Sequence, residues 1–530
     1  MDKRTIIAIL LSVGVLFGYP YLMEYINPPQ PKTGQAQNGE TVKLLEDSPL
    51  PGGGENFYEP EQGAGQGMPD VKEELSTIET PLYTVAFTNR GAGVSQWVMK
   101  KHRESLDENS AGIDLAATIA TNNSFKTRLA ANGVTEELVF SVPKGAILTE
   151  DDEAEFVFTA MTKGGLKVVK KYTVNGSSYI LKTDLSIINA SEHAYQGSIE
   201  TLITANVAGK DATGYHQGPI ISTDKGLERL TEKQEKLSGQ NPVWLGLETK
   251  YFLSALLPVT EVPMSWTGRV LSDKYSSAGL SVALNLPPKT ASNFSYTSFL
   301  GLKEYDLLVN QGLGLQSSIE FGYFSVMAKP MLVALNFVEK YLGNYGLAII
   351  LITVLIKIVF YPLSKHSLKS MRDMQKLQPQ LAAIKEKHKD NKEKMNKELM
   401  EMYKRYKVNP LGGCLPMVLQ IPVFIALYEV LYVAIELRHA PLFLWIQDLS
   451  AKDPYYITPL IMGATMFLQQ KMTPSTMDPN QAKIMLIMPV VFTFMFLSFP
   501  SGLVLYWLMN NILTVGQQYY IQKSPSKAGA

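Results

Sequence analysis

The sequence predicts an α-helical polytopic membrane protein that carries a large antiparallel β-sandwich domain outside the bilayer. Long uncharged apolar runs lie at the N-terminus and beyond residue 340, and each is long enough for a helix that crosses a hydrocarbon core of ~30 Å. Between about 76 and 320, the residues alternate with a period of two. Charge divides at the same places: residues 28–329 contain 26 Lys/Arg and 35 Asp/Glu, and the remainder contains 23 and 14.

The composition excludes several other classes of protein. It does not resemble that of a collagen-like or wholly disordered chain. Cys414 is the single cysteine, so an exported domain must fold without an internal disulfide. One Cys and six His do not supply a Cys/His zinc cluster. There is no GxxxxGK[ST] phosphate loop, HExxH zinc motif or GxSxG elbow. We therefore expect no cofactor and no enzymatic activity.

The first predicted element, residues 1–26, is an N-terminal transmembrane signal anchor. Thr5–Met23 supplies 19 uncharged positions behind Lys3 and Arg4, about 28 Å of helix. A cleavable signal peptide is the alternative, but the run exceeds the usual apolar core and no A-x-A-like site follows it. Residues 27–75 are rich in Pro, Gly, Gln and Glu, which is typical of a flexible linker.

Residues 76–324 are predicted to form the exported β-sandwich. Tyr179, Leu181 and Leu185 point to one face of a strand, and Lys182 and Asp184 point to the other. The preceding strand, Leu166–Val174, is joined to this one through Asn175-Gly176, a strong signal for a two-residue hairpin turn. The domain could bind a ligand or partner, but a folding spacer or docking surface is the preferred interpretation.

Residues 325–343 are predicted to form a short amphipathic helix along the outer membrane interface. An ordinary domain-packing helix is the alternative. Its apolar side is expected to comprise Val326, Leu332, Leu335, Val338 and Leu342.

Five further apolar runs are predicted to cross the bilayer, for a total of six transmembrane helices, the last five being the core. Ile484–Gln522 is uncharged over 39 residues and would be about 58 Å long as one helix, so Pro500-Ser501-Gly502 is expected to turn it. The predicted spans are 344–364, 412–436, 454–471, 484–499 and 501–522; 437–453 forms a periplasmic loop, 472–483 a cytoplasmic loop and 523–530 a cytoplasmic tail.

Positive charge in the short connecting segments predicts the orientation of the chain. Lys365–Asn409 carries 13 Lys/Arg against six acidic residues, whereas Arg438–Asp453 carries two of each. Both termini are therefore expected in the cytoplasm, and the large acidic domain in the periplasm.

The segment 365–409 is predicted to be a basic helical hairpin in the cytoplasm. Met371 and Met374 recur at helical spacing in one arm, and Met395 and Met402 do so in the other. These thioethers could contact varied apolar substrates, although packing of the two arms against each other is the more economical interpretation. The basic exterior could touch anionic lipid or ribosomal RNA.

Lys357 is the main candidate for a functional residue, because it lies inside an apolar run about 12 Å from its cytoplasmic end. A buried ammonium in lipid is costly, so we expect it to face a wet cavity; snorkelling is the alternative. Further polar residues inside the apolar runs suggest one polar groove, with Glu429 as a possible counter-charge or, more simply, a residue near the outer interface. These residues are Thr353, Gln420, Asn510, Asn511 and Gln517.

Three motifs in the membrane half resemble a known family. They are KVNPLGGCLPMVLQIPVFIALY at 407–428, LWIQDLSAKDPYYITPLIMG at 444–463 and FPSGLVLYWLMNN at 499–511. They are similar to the YidC membrane protein insertases, whose wider family includes the mitochondrial Oxa-type and chloroplast Albino-type proteins. The resemblance covers about 325–522, and the N-terminal anchor and large exported domain match the Gram-negative form in architecture.

The resemblance implies that Lys357 lies in a hydrophilic groove open to the cytoplasm and closed outside. Lysine stands where the Gram-negative pattern usually has arginine, so the charge is kept without the planar fork of donors. Substrate contacts of the family fall on Thr353, Tyr506 and Trp507. The implied partners are nascent integral membrane proteins, the Sec translocon, the ribosome and membrane lipids, and the implied activities are insertion and chaperone-like folding by a monomer in the inner membrane.

Two other classes remain as alternatives. A small-solute or ion transporter could use Lys357 as a binding charge, but no internal repeat of the kind common in transporters is visible. A membrane-anchored carbohydrate-binding or carbohydrate-processing protein would place the function in 76–320. Deletion of most of that domain separates these cases.

Overall fold

The computed structural model describes residues 71–107, 109–116, 124–207, 209–210, 215–230, 234, 236–272, 275–388, 391–406, 415–472 and 479–523. The predicted anchor at 1–26, most of the predicted linker, Cys414 and the tail beyond Lys523 lie outside these residues.

In the described part of the N-terminal domain there are twenty strands. In chain order they are β1 Leu75–Glu79, β2 Tyr83–Thr88, β3 Val94–Arg103, β4 Gly112–Asp114, β5 Lys126–Ala131, β6 Val134–Glu137, β7 Ala146–Ile147, β8 Glu153–Met161, β9 Leu166–Asn175, β10 Ile180–Asn189, β11 Tyr195–Ala205, β12 Gly209–Lys210, β13 His216–Thr223, β14 Gly226–Arg229, β15 Lys236–Gln240, β16 Trp244–Glu248, β17 Phe252–Pro258, β18 Met264–Ser272, β19 Tyr275–Leu286 and β20 Ala291–Leu302.

The strands form three sheets rather than the two of a simple sandwich. The largest has the order β12-β13-β16-β17-β20-β10-β9-β8, with β14 also on β13. The others are β15-β18-β19-β11-β5-β6 and β4-β3-β2-β1-β7. All described pairings are antiparallel except β1 with β7. The ring of Phe87 on β2 lies 4.6 Å from that of Tyr172 on β9, and Gly268 on β18 faces Pro219 on β13, so the largest sheet packs against both smaller ones.

The period-two prediction for β10 is confirmed. Leu181, Thr183, Leu185 and Ile187 are all buried, while Lys182 is exposed between them. This alternation is what a strand with one face on a core requires. Hydrophobic patterning therefore determines which face of the sheet packs inward.

The predicted hairpin is confirmed, but its turn is longer than two residues. Strand β9 ends at Asn175 and β10 begins at Ile180, so 176–179 forms the connection, and Ser177 N donates to Asn175 Oδ1 over 2.9 Å. Gly176 is needed here for close approach and not for a positive φ, because a Cβ atom would collide with the carbonyl of Thr149. A contact remote in sequence therefore decides the turn.

Lys170 departs from the general pattern, because this lysine on β9 is fully buried. Its Nζ donates to the carbonyls of Ala92, over 3.1 Å, and Phe125, over 2.6 Å. Both acceptor residues have positive φ, 44° and 57°, a conformation that residues with a side chain rarely adopt. Burial lowers the pKa of Lys170 well below its usual value, so the amine acts as a hydrogen-bonding strut and not as a surface charge.

A second buried polar cluster surrounds Glu248 at the end of β16. Its Oε1 accepts from Arg229 over 2.6 Å and lies 3.0 Å from His216 Nδ1, and Lys303 Nζ donates to Oε2 over 2.7 Å. Burial raises the pKa of Glu248, but Lys303, His216 and Arg229 outweigh that effect and lower it to about 2. Arg229 also donates to the carbonyl of Ser318, which ties the sheet to the segment leading into the helices.

We predict that Glu248→Gln destabilises the exported domain by about 3–5 kcal/mol, because it leaves the buried Lys303 without its anion and removes one of the two carboxylates beside the half-buried Arg229. Glu320→Gln is the matched control, since Glu320 is exposed and its contact to Arg229 is 3.4 Å; it should cost no more than about 1 kcal/mol. Urea unfolding of the purified protein measures both. Equal losses would show that the buried cluster contributes no more than a surface ion pair.

The helices follow the strands in the chain. They are α1 Tyr305–Asn310, α2 Ser325–Leu342, α3 Tyr345–Lys376, α4 Gln378–Lys387, α5 Lys392–Arg405, α6 Leu415–Val433, α7 Ile457–Met472, α8 Pro479–Phe496 and α9 Ser501–Lys523. Short 3-10 helices occupy Leu315–Ser318 and Ile435–Leu437.

Helix α2 packs against α3 and α6 through a narrower stripe than the sequence suggested. Leu332 and Leu335 are buried as expected, together with Ala328, but Val326 is 84% exposed and Leu342 is also exposed. A second apolar face is exposed as well; it comprises Val326, Val333, Phe337 and Tyr341. The helix is thus apolar on two sides, one for the bundle and one for the surroundings.

The outer loop between α6 and α7 holds the beginning of α9. Ser501 N donates to the carbonyl of Ala451 over 2.7 Å, and Gly502 N donates to that of Leu449 over 2.9 Å. Asp453 caps α7 by accepting from both the backbone and the hydroxyl of Thr458. The loop is therefore a rigid cap over the outer end of the bundle.

The β domain contacts this loop directly. Arg438 donates to the carbonyls of Arg103 and Glu104, over 2.8 and 3.0 Å. Lys250 Nζ lies 3.9 Å from the centre of the Tyr432 ring, which is close enough for a cation–π interaction. These contacts fix the domain against the end of α6.

We predict that acidification weakens this contact. Burial lowers the pKa of His102, and Arg438, His439 and Lys101 lower it further. Burial and Arg438 also lower the pKa of His439, while Asp448 opposes this effect and raises it. The docked state therefore binds fewer protons than the separated one, and its stability is lost as the pH falls below about 6.5.

Thermal unfolding between pH 7.5 and 5.5 tests this sign. The double variant His102→Gln, His439→Gln should lose less stability over that interval than the parent protein. An equal or larger loss in the variant would remove these two imidazoles from the explanation.

Candidate functional site

Lys357 lies within α3, 12 residues after its first residue, roughly 18 Å from the outer end of the helix. Its Nζ donates to Thr514 Oγ1 on α9 over 2.8 Å, and the Thr514 hydroxyl donates to the carbonyl of Asn510 over 2.6 Å. The ammonium is therefore held against α9 and does not extend into the surroundings.

No acidic partner for Lys357 occurs among the described residues. An ammonium has three protons to donate, and one is used by Thr514. Lys357 is half-buried, so its charge is partly removed from water without being neutralised by a carboxylate. Such an ammonium attracts water, polar groups or carboxylates to this position.

Helix α9 presents a polar stripe beside this ammonium. Asn510, Thr514 and Gln517 are spaced by four and three residues, which places them on one face of the helix. Asn510 Oδ1, Asn511 Nδ2 and Gln517 Nε2 are buried atoms without a hydrogen-bonding partner in the described part of the chain. A buried amide group is costly to leave unpaired. Asn510 Oδ1 can therefore accept a hydrogen bond from water or from a polypeptide, and Asn511 Nδ2 and Gln517 Nε2 can donate one.

Packing changes along the bundle at the level of these residues. The first six residues of α9, Ser501–Tyr506, are all buried, whereas most positions from 507 to 517 are half-buried or exposed. Helix α3 shows the same change after Ile352 and Thr353. The outer half of the bundle is thus closed, and the half toward the basic hairpin is more open.

Gln420 and Tyr506 join α6 to α9. Gln420 Nε2 donates to the Tyr506 hydroxyl over 2.8 Å. The Trp507 ring contacts Phe424, with ring centres 4.7 Å apart, and also lies against Phe496. This aromatic cluster closes the outer end of the polar stripe, with Tyr506 buried and Trp507 half-buried.

Thr353 lies one helical turn before Lys357 in α3, but its side chain is not exposed. It is buried, and its hydroxyl donates to the carbonyl of Ile349 in its own helix over 2.7 Å. Hydroxyl groups commonly satisfy themselves in this way inside apolar helices. In this conformation Thr353 is available for packing and not for direct contact with a substrate.

Glu429 lies away from Lys357. A Cβ atom added to Gly322, just before α2, would be 2.9 Å from Glu429 Oε1, so the carboxylate sits beside the junction with the exported domain. Glu429 is only four residues from the outer end of α6, about 6 Å, whereas Lys357 is much deeper. The alternative placement near the outer interface agrees with this geometry, and a counter-charge role does not.

The methionines of the basic hairpin at 365–409 divide into two groups. Met374 and Met402 are 5% and 7% exposed and pack with Leu377 and Leu381, so they form the hairpin's own core. Met395 on α5 is half-buried. Met371 lies in α3, and its side chain is outside the described part. The arms therefore pack mainly against each other, and the first arm begins as a continuation of α3 to Lys376.

Sequence reasoning missed Thr514, the one side chain that hydrogen-bonds Lys357 in the described structure. A threonine within an apolar run carries little signal by itself. Its spacing of four residues from Asn510 and three from Gln517 could have placed it on the same helical face.

By length and composition, one helix in the described ranges qualifies as a membrane span, Tyr345–Met374. The apolar helices Gln420–Val433 and Leu486–Phe496 are shorter. The structure thus contains a helical C-terminal region, while the count of six spans stays a prediction.

Comparisons with known proteins agree with this architecture. Residues 75–334 match the family model of the YidC periplasmic domain, and residues 337–528 match that of the 60Kd inner membrane protein. The chain is 43% identical to the membrane protein insertase YidC of Syntrophus aciditrophicus, across 99% of this chain and 100% of that protein. It is 41% identical to the corresponding protein of Citrifermentans bemidjiense, across 99% of each.

A crystal structure described as an active YidC insertase with the first transmembrane domain resolved is 18% identical, with a TM-score of 0.39 over 86% of this chain and 93% of that chain. The matched regions define an inner-membrane protein with a large periplasmic domain. The chain belongs to the YidC family of membrane protein insertases. This confirms the family and the class of function predicted from the motifs, including the expectation that the protein is not an enzyme; the transporter alternative is not supported.

We predict that Tyr506→Phe destabilises the bundle by about 0.5–1.5 kcal/mol, because Gln420 loses its acceptor. The double variant Tyr506→Phe, Gln420→Leu should recover part of this loss, since the amide group of Gln420, which would lack its acceptor, is then also removed. Thermal unfolding in detergent gives the double-mutant cycle. Purely additive losses would show that the hydrogen bond is not energetically coupled.

Proposed function

We propose that the chain inserts nascent transmembrane segments into the inner membrane through a groove formed by α3, α6 and α9 around Lys357. The polar tail that flanks a nascent segment enters the groove from the side of the basic hairpin. The apolar segment itself moves sideways into lipid. The substrate class is thus nascent integral membrane proteins, as the names of the similar proteins suggest.

The observation that carries this proposal is the charge of Lys357 without an acidic partner in the described chain, beside amide groups with unused hydrogen-bonding capacity. If Lys357 had only a structural role, we would expect it to be paired with an acidic residue or replaced by an apolar one. A buried charge without a partner lowers the stability of the folded protein. In an insertase, the same ammonium offers a transient partner for a carboxylate or a carbonyl. Hydrogen bonds to the substrate then replace part of its lost hydration.

The energy for insertion comes from the substrate. Transfer of a segment of about 20 apolar residues from water into lipid is favourable, by ~25 cal/mol per Å² of apolar surface. The opposing barrier is the transfer of its polar tail across hydrocarbon. A groove that is wet for part of the membrane thickness shortens this dry distance, so the protein lowers a barrier without using a nucleotide.

Two features of the bundle support an asymmetric groove. The outer half is closed by buried residues of α9 and by the rigid loop that binds Ser501 and Gly502. Helix α7 has 16 residues, about 24 Å, which is shorter than an average hydrocarbon core and favours local thinning of the bilayer. The orientation of the proposal rests on the excess of Lys and Arg in 365–409: both termini and the hairpin lie in the cytoplasm, and the β domain lies in the periplasm.

The proposal extends to partners that recognise the ends of the molecule. The basic hairpin faces the ribosome or anionic lipid, and the half-buried Met395 is its best-placed thioether for apolar contacts. Cooperation with the Sec translocon and chaperone-like folding of multispan proteins follow from the family resemblance. A monomer suffices, because every part of the groove comes from one chain.

We predict that photo-crosslinking probes at Trp507 and Gln517 capture the polar tail of a ribosome-bound nascent chain in membrane vesicles. A probe at Ile512, an exposed position of the same helix, is the control for general proximity to lipid. The tail should crosslink to the first two positions at least several times more strongly than to Ile512. A uniform pattern would argue against a polar path along this face.

We predict that Lys357→Glu slows insertion of substrates with acidic exported tails by roughly tenfold relative to neutral ones, because one like-charge pair within the groove is worth about 1–4 kcal/mol. Lys357→Arg should retain activity. Lys471→Glu makes the same charge change at an exposed cytoplasmic end of α7 and should not discriminate between the tails. Equal effects of Lys357→Glu on both substrates would remove the electrostatic role.

A further inference from the structure

The outer loop carries an uncharged tip, Ala440–Gln447, that the insertion mechanism does not use. Two of its side chains, Leu442 and Ile446, are buried and attach the tip to the bundle. Of the three residues between them, Trp445 is half-buried and donates to Asp453 Oδ1 over 3.1 Å, whereas Phe443 is 54% exposed and Leu444 is 70% exposed. Large apolar residues are thus displayed at the end of a loop whose base is well packed.

Hydrogen bonds make this tip rigid. Leu442 N donates to the carbonyl of Ile446 over 3.0 Å, and Gln447 Nε2 donates to that of Leu444 over 2.8 Å. Asn344, between α2 and α3, donates to the carbonyl of Leu442 over 2.7 Å. The tip is therefore fixed at the level where α3 begins.

The backbone of Leu444 is in the left-handed region, with φ at 58°. Glycine or asparagine adopts this conformation at lower cost than leucine. Gln447 Nε2 donates to the Leu444 carbonyl and supports this backbone conformation, whereas the leucine side chain itself stays exposed. A strained residue that displays a large apolar side chain points to a function for that side chain.

Exposed apolar side chains surround the tip on the neighbouring elements. On α2, the rings of Phe337 and Tyr341 are 5.0 Å apart and are 61% and 75% exposed. On α3, Leu347 is exposed two residues after Tyr345, and Leu351 and Leu355 continue the same face along the helix. The tip is hydrogen-bonded through Asn344 to the beginning of α3, and this helix qualifies by length and composition as a membrane span.

We propose that Phe443 and Leu444 insert into the outer leaflet of the bilayer, at the boundary between headgroups and acyl chains, and anchor the outer end of the bundle at a fixed depth. Aromatic and aliphatic side chains on a rigid uncharged turn suit that layer. The proposal rests on membership of a membrane-protein family and is independent of the groove around Lys357. Its partner is lipid, and a second protein is an outcome that the test distinguishes.

The test places a nitroxide label at Phe443→Cys in a Cys414→Ser background, with the protein reconstituted in phosphatidylethanolamine/phosphatidylglycerol vesicles. Collision rates with oxygen, which concentrates in lipid, and with a water-soluble nickel complex report the depth of the label. Ile358→Cys on an exposed face of α3 is the acyl-chain reference, and Val134→Cys on β6 is the aqueous reference. We expect oxygen accessibility at position 443 well above that at Val134 and nickel accessibility severalfold below it.

Two results would overturn the proposal. One is an accessibility at Phe443→Cys equal to that at Val134→Cys. The other is an immobilised spectrum with dipolar broadening, which would indicate contact with another copy of the chain. The variant Leu444→Asn, which suits the left-handed backbone, should leave thermal unfolding in detergent unchanged and move the label at position 443 toward water; a label that does not move would exclude Leu444 from the anchor.

Discussion

The hydrogen bond between Lys357 and Thr514 is the contact on which the site depends. It fixes an ammonium group against α9 at a depth of roughly 18 Å from the outer end of α3. Because the described residues supply no carboxylate there, the charge remains available to a passing polypeptide. Without Thr514, the long lysine side chain would be free to extend along α3 toward the basic hairpin, and the polar stripe would lose the ammonium that lies beside it in the described structure.

The outer half of the bundle and the β domain form a rigid support above the position of Lys357. Buried residues at the start of α9 and the capped outer loop exclude water from the outer half of the bundle. The β domain is joined to that loop through Arg438 and is stiffened by its own buried ions around Glu248. Rigidity is concentrated at the periplasmic end, and the more open packing near the hairpin leaves room for a substrate to enter.

Much of this could be predicted from the sequence, because apolar run length and period-two alternation are local signals. Five helices occur where the apolar runs predicted them, and the alternation around Leu181 is observed. Long-range contacts could not be read in this way. The pairing of Lys357 with Thr514 joins residues 157 positions apart, the turn at Gly176 is decided by Thr149, and the position of Glu429 depends on Gly322. The motifs identified the family, but the structure was needed to show that Thr353 is buried and hydrogen-bonded within its own helix.

The accessibility of α9 to water decides whether the groove is hydrated. In a Cys414→Ser background, cysteines introduced at Asn510, Thr514 and Gln517 are exposed to a membrane-impermeant thiol reagent from one side of oriented vesicles at a time. The account predicts labelling from the cytoplasmic side and not from the periplasmic side, with Ile512→Cys unlabelled from both. Failure to label the polar stripe from the cytoplasm, or labelling no faster than at Ile512, would contradict the existence of a hydrated groove.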